Sequence, residues 1–162
     1  VRQLAALRLS AERAGRDPMA IETAAFMICL IGDEGEIDEI VCAPLIKAYL
    51  LQVRGDTLRE HGFAHPMGEA WKGIHDINPA TLTRPRILEF LEAVDPRALL
   101  AVLPHGPPRK VAESIKPYVE AGLKVPRVLD YSGMAGLAFG ARSPAKVRET
   151  EDELLRLTGA SA

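Results

Sequence analysis

The chain has 162 residues, 48% of them hydrophobic and 26% charged, with a formal net charge of -2. That length and balance fit one folded domain with a single core and exclude the disordered class. No Lys/Arg run is interleaved with aromatic residues, which argues against nucleic acid as a partner. Residues Val1 to Gly15 carry Leu4, Leu7, Leu9 and Ala14 at helical spacing, and Gly15-Arg16-Asp17-Pro18 ends the pattern with a C-cap and a breaker. No N-cap residue precedes Leu4, so the sequence reads as opening within a helix of a larger unit.

Ile21 to Ile31 is the first predicted strand, and its nearly unbroken apolar character is that of a parallel strand covered on both faces. Its longest apolar run, Ala24 to Gly32, is about half the length of a membrane span. A helix follows through Ile37, Ile40, Val41, Leu45, Ala48, Tyr49 and Leu50, with Pro44 as a kink or break. Residues 55–86 lose the period and scatter His61, His65, Trp71 and His75 among glycines and prolines, the pattern of a binding loop, insertion or lid. A helix spans Arg86 to Val94.

Two further units follow. Leu99 to Leu103 reads as a short strand, Pro104 to Pro108 as a loop, and Arg109 to Gly122 as an amphipathic helix bent at Pro117. Arg127 to Tyr131 reads as another strand, Ser132 to Ala141 as a glycine-rich loop, and Ser143 to Leu157 as a helix capped by Ser143 with Pro144 in its first turn. Strands alternating with helices predict a parallel sheet in an α/β fold. A doubly wound sheet would meet the same pattern, but no GxGxxG follows a strand. About three βα units of a barrel, with the insertion, are the remaining expectation.

The two cysteines, Cys29 and Cys42, lie in apolar surroundings without a CxxC pair and are expected to be buried free thiols in a reducing compartment. The N-terminus has no signal-peptide pattern, so the expected location is cytoplasmic.

The run Ala11-Glu12-Arg13-Ala14-Gly15-Arg16-Asp17-Pro18, the turn Gly106-Pro107-Pro108-Arg109-Lys110-Val111 and the stretch Tyr118-Val119-Glu120-Ala121-Gly122-Leu123 resemble the C-terminal half of the luciferase-like monooxygenase superfamily. The insertion His61-Gly62-Phe63-Ala64-His65-Pro66-Met67-Gly68 resembles its deazaflavin-dependent, phthiodiolone ketoreductase-like branch. The resemblance covers nearly the whole chain. It implies the C-terminal part of a (βα)8 TIM barrel that binds coenzyme F420, or FMN, at its strand ends and moves a hydride to or from a carbonyl-type, small-molecule or lipid-like substrate. The earlier strands and their loops have no counterpart here, so a fragment inactive alone is expected. An FMN-dependent monooxygenase is the alternative within the superfamily, and a non-catalytic half-barrel that self-associates as a homo-oligomer through open strand edges is the alternative outside it.

Candidate site residues carry two readings each. Gly106 and the helix start after it suit an anion, or merely turn the chain past two prolines that remove donors. His105 stands at a strand end, where barrel enzymes keep their chemistry, or is a solvated loop histidine. The resemblance implies that Arg59 meets a cofactor phosphate, with Arg97 as a second candidate; the alternative for each is a surface arginine without a ligand. His61 and His65 are four apart, but Gly62 and Pro66 disfavour a helical metal pair and no third ligand is in view. Together with Trp71 they read as lid or substrate contacts, with core packing the ordinary use of the tryptophan. Gly133, Gly136 and Gly140 line the site's mouth or form a flexible connection.

Overall fold

The computed structural model describes residues 2–159. It is an α/β fold whose centre is a three-stranded, all-parallel sheet in the order β2-β1-β3. The strands are β1, Ala24–Ile31; β2, His105–Gly106; and β3, Val125–Asp130. The eight-residue β1 pairs with β3 over six positions, from Ala24 opposite Val125 to Cys29 opposite Asp130. On its other side β2 reaches only Leu30 and Ile31.

Alternation along β1 divides the interior into two cores, because successive side chains of a strand point to opposite faces. Leu30 enters a core with Ile37, Ile40 and Val41 of α2 (Glu34–Cys42), Ile46 of α3 (Pro44–Lys47), Phe90 of α5 (Arg84–Ala93) and Leu99 of α6 (Arg97–Val102). This core also takes Leu58 of α4 (Gly55–Glu60). Met27, Cys29 and Ile31 enter the other core, with Val111, Ala112 and Ile115 of α7 (Pro108–Glu120) and Leu154 of α8 (Leu137–Thr158). Leu4 of α1 (Arg2–Arg13) packs at its margin. The parallel sheet thus lies between helices, as the continuous apolar run of β1 requires.

Several elements depart from the sequence reading. Leu99 to Leu103 is no strand: α6 ends at Val102 and the strand that follows is only His105–Gly106. A five-residue apolar run has too few positions for periodicity to decide, and the Asp95 carboxylate accepts from the Arg97 amide at 2.9 Å, starting a helix of good helix formers. The helix predicted from Ser143 begins instead at Leu137, which places Pro144 in its interior. Packing outweighs the local signal there, since Lys146 pairs with Glu36 while Thr150 and Leu154 are buried. Residues 55–86 carry α4, a 3-10 turn at Gly73–Asp76 and the start of α5, and Phe63, Met67 and Trp71 pack against the first core. Cys42 is exposed rather than buried, at the last position of α2.

The strand order departs from barrel geometry as well. Consecutive barrel strands are neighbours, whereas here β1 lies between β2 and β3. The two-residue β2 has no edge long enough for β3, and β1 offers six positions. The chain by itself is therefore a three-stranded open sheet. No helix among the described residues is long and apolar enough to cross a membrane.

An ion-pair cluster ties the two helical layers together beyond the end of β1. Glu36 accepts from the Asp33 amide at 3.0 Å, from Lys146 Nζ at 2.7 Å and from Arg142. The Lys146 bond, then the Asp33 amide and the Arg142 guanidinium, hold its carboxyl down from 4.5 to about 2. A carboxylate depressed in the folded state stabilises fully above its unfolded value, and that contribution disappears as pH falls through 4.5 toward 2. Glu36→Gln is expected to cost on the order of 1–2 kcal/mol at neutral pH, with partial solvent screening of the pair taken into account. Urea unfolding of both forms across pH checks it: the gap should narrow on acidification, and a gap that is constant or widens would refute the assignment.

Candidate functional site

In open parallel α/β sheets, loops leaving the carboxyl ends of the strands form the ligand-bearing edge. Here those ends bring forward Gly32 and Asp33 after β1, Gly106 and Pro107 after β2, and Tyr131 and Ser132 after β3. They are locked to each other. Asp130 Oδ1 accepts from the amides of Ile31 at 3.1 Å and Ser132 at 2.9 Å. The Ser132 hydroxyl also accepts from the Ile31 amide, at 2.8 Å, and donates to the Ile31 carbonyl at 3.2 Å. Asp130 Oδ2 is buried with no hydrogen-bond partner among the described residues.

Beneath Asp130 lies Cys29, fully buried, whose thiol is pushed up to about 12 by burial and then by the Asp130 charge. It is protonated at neutral pH and packs as a small apolar group. Sequence reading passed over Asp130, Ser132, Glu36 and Lys146. A carboxylate closing an apolar strand was the available signal for Asp130; Ser132 depends on the pairing of β3 with β1, and Glu36 and Lys146 on the tertiary meeting of α2 with α8.

His105 and Gly106 fall together in a hollow of about 280 Å³, with Leu100, Lys110, Glu34, Ile37 and Asp38 around it. His105 is half-buried, and its Nδ1 lies 2.9 Å from the Leu103 carbonyl. A carbonyl only accepts, so Nδ1 is the donor in this bond. Gly106 has φ +117°, a conformation side chains rarely adopt, and a Cβ there would meet Lys110 Cδ at 2.8 Å. Glycine thus lets the chain turn into α7 beneath the Lys110 stem. Pro107 and Pro108 supply no amide, so the first donors of α7 come from Arg109 and Lys110.

Arg59 and His65 belong to a different cavity, of about 460 Å³, formed within the insertion by Gly55, Gly62, Phe63, Ala64, Gly68 and Glu69. Arg59 is paired with Glu69 at the surface. His65 is buried, its Nε2 2.9 Å from the Leu50 carbonyl and its Nδ1 accepting from the Met67 amide at 3.0 Å. Those bonds require the neutral imidazole protonated on Nε2. The ring stacks on Trp71 at 6.0 Å and lies beside Phe90, and Trp71 Nε1 donates to the Leu51 carbonyl at 2.8 Å. His65 and Trp71 fasten the insertion to the first core.

The candidates named from sequence therefore form two groups. His105 with Gly106 is one, and Arg59 with His65 is the other. Arg97 stands apart on α6, exposed and held by Asp95 at 2.7 Å, while His61 is exposed at the end of α4. Among the described residues no cluster of three or more His, Cys, Asp or Glu side chains is placed to hold a metal.

Comparison with known proteins finds phthiodiolone/phenolphthiodiolone dimycocerosates ketoreductases. The chain is 31% identical over 130 residues to that of Mycobacterium kansasii, a match covering 80% of this chain and 35% of the relative. It is 32% identical over 124 residues to that of Mycobacterium tuberculosis strain H37Rv, covering 76% and 32%. A third, from Mycobacterium sp. strain JLS, is 30% identical over 105 residues. The chain spans about a third of the length of these relatives. No protein-family model matches it, and no solved structure does.

The stack gives the insertion an optical reporter, because Trp71 is the chain's one tryptophan. Burial lowers the His65 pKa below the ordinary 6.5, against the opposing Leu50 bond. Its neutral form therefore stabilises the fold above 6.5, and that contribution is lost as pH falls below it. Protonation would put an N–H at Nδ1 against the Met67 amide. Trp71 emission is expected to change as pH drops below that value, and His65→Gln to abolish the change. A change on acidification that persists in His65→Gln would show that the ring is not its source.

Proposed function

We propose that this chain is part of an oxidoreductase related to the ketoreductases it matches, one that moves a hydride between coenzyme F420 and a carbonyl-type substrate. The observation that carries this reading is the match to ketoreductases over 124–130 residues. The resemblance of the insertion and of the Gly106 turn to the deazaflavin branch of the luciferase-like superfamily supports it. A barrel is then a property of the longer protein, since the chain alone makes an open sheet. The relatives' names concern lipid ketones, so an apolar ketone is the substrate class by analogy.

The fit of the cofactor to these residues is partial. Whole cofactor sites run to about 300–1,000 Å³, and the hollow beside His105 holds about 280 Å³. It suits a phosphate-bearing tail better than a fused ring. Arg59 and Arg97 are each neutralised by a carboxylate, whereas Lys110, beside Gly106, is in no ion pair among the described residues. Lys110 and the amides of Arg109 and Lys110 would hold the phosphate, against the opposing charge of Glu34 and Asp38 across the hollow. His105, through Nε2, would orient a hydroxyl of the same tail. Arg59, His61, His65 and Trp71 keep a lid or substrate role only in the longer protein.

F420, when bound, supplies a two-electron carrier whose hydride goes to the carbonyl carbon while a proton reaches the oxygen. The chain's own residues would position it and nothing more. Titrating the protein with F420 and with FMN, followed by each cofactor's absorption and fluorescence, tests the reading. The expected outcome is weak F420 binding that falls on the order of tenfold in Lys110→Ala, with no turnover by this chain alone. Tighter FMN binding would transfer the reading to a flavin monooxygenase. Binding of neither would overturn it, whereas F420 turnover by the chain alone would overturn only the expectation that the longer protein is needed for activity.

A further inference from the structure

A second hollow lies at the other end of the sheet from His105. Thr23 and Lys124, which directly precede β1 and β3, both line it, so it opens at the amino ends of the parallel strands. It holds about 300 Å³. Three stretches of this chain wall it: Leu4 and Leu7 of α1, Met19 and Ile21 ahead of β1, and Val119 and Leu123 where α7 turns into β3.

Two cations and no carboxylate line this apolar space. Arg8 is half-buried, and its guanidinium lies against Gly122, where an added Cβ would meet Arg8 Nη2 at 1.6 Å. Gly122, with φ +98°, therefore serves both the turn out of α7 and the room that the guanidinium takes. The Arg8 guanidinium has neither a hydrogen bond nor an ion pair among the described residues, so its donors are unspent. Lys124 Nζ donates to the Met19 carbonyl, which holds the ammonium beside the same hollow with two donors left. A charge partly withdrawn from water without a counter-ion is destabilising, and an entering anion would supply the missing partner.

We propose that this hollow binds a small monocarboxylate with an apolar tail, the carboxylate on the Arg8 fork beside Lys124 and the tail among Leu4, Leu7, Ile21 and Leu123. The guanidinium fork matches a carboxylate in two parallel bonds, which selects an anion over a neutral or cationic head. At the roughly 30 Å³ that one water takes in the liquid, the space corresponds to about ten non-hydrogen atoms, the size of octanoate. A helix, about 10–12 Å across with its side chains, is too large to enter, so the occupant is a small molecule and not an element of another polypeptide. The site stands apart from the hydride-transfer reading, because it lies at the opposite end of the strands and calls for no cofactor.

Titration of the isotopically labelled 162-residue chain at neutral pH with octanoate and with octylammonium, followed by NMR amide shifts, tests this. Octanoate is expected to shift the amides of Gly122, Leu123 and Lys124 saturably, with a Kd on the order of 0.1–1 mM. Octylammonium, equal in length and opposite in charge, should bind about tenfold more weakly or not at all. Arg8→Met, which keeps the apolar stem and removes the charge, should raise the octanoate Kd about tenfold, and Lys124→Gln about threefold. No saturable shift up to about 10 mM octanoate overturns the proposal, as do shifts centred away from the α7–β3 turn. Equal binding of the two probes, or an unchanged Kd in Arg8→Met, overturns it too. The comparison of probes is made on the native chain and decides the matter even where a variant does not fold.

Discussion

The fold depends on one strand being apolar on both faces. Because β1 alternates Met27, Cys29 and Ile31 against Ile28 and Leu30, a single segment nucleates two cores on opposite sides of the sheet. A one-residue slip of its register would exchange the two sets and bring Leu30 to α7 and Cys29 to α2. Neither core closes without it: α7 and α8 have no other full-length apolar strand to cover, and α2, α5 and α6 meet the sheet chiefly through Leu30. The six-position pairing with β3 fixes this register, and the Asp130–Ser132 bonds to Ile31 pin its end.

The same end of the sheet gathers most of the chain's polar organisation. Asp130 Oδ1 and the Ser132 hydroxyl are bonded to the backbone of Ile31, and Glu36 is paired with Arg142 and Lys146 across the layers. These groups hold the edge rigid. In the proposed reading the groups that meet a ligand lie around the β2 turn, namely His105, the Lys110 ammonium and the first amides of α7. That division between scaffold and contact residues is the usual one for sites built on loops over a rigid sheet.

Much of this was legible in the amino-acid order. The unbroken apolar run marked β1, Pro44 marked the break between α2 and α3, and the spacing of Val111, Ile115, Tyr118 and Val119 marked α7. Leu99 to Leu103 was misread because leucine, alanine and valine satisfy helix and strand alike over five positions, and Asp95 decides the matter through one side-chain bond. Ser143-Pro144 carries a sound start signal that is overruled by contacts to α2, which local sequence cannot show. The strand order was out of reach, since it depends on which edge is long enough to receive β3. His65 looked like a lid residue by its neighbours, and only the bonds to Leu50 and Met67 reveal its anchoring part in this chain.

The contrast between the two sulfur atoms carries a chemical consequence. Oxidants and alkylating reagents attack a thiolate that they can reach, and Cys29 is neither ionised nor accessible. Cys42, exposed where α2 ends, is left to take the first hit of peroxide or of a maleimide dye. A single probe can therefore be fixed to one known point of the native protein, and the appearance of a second modified sulfur becomes a clock for the opening of the sheet from the α7 and α8 layer.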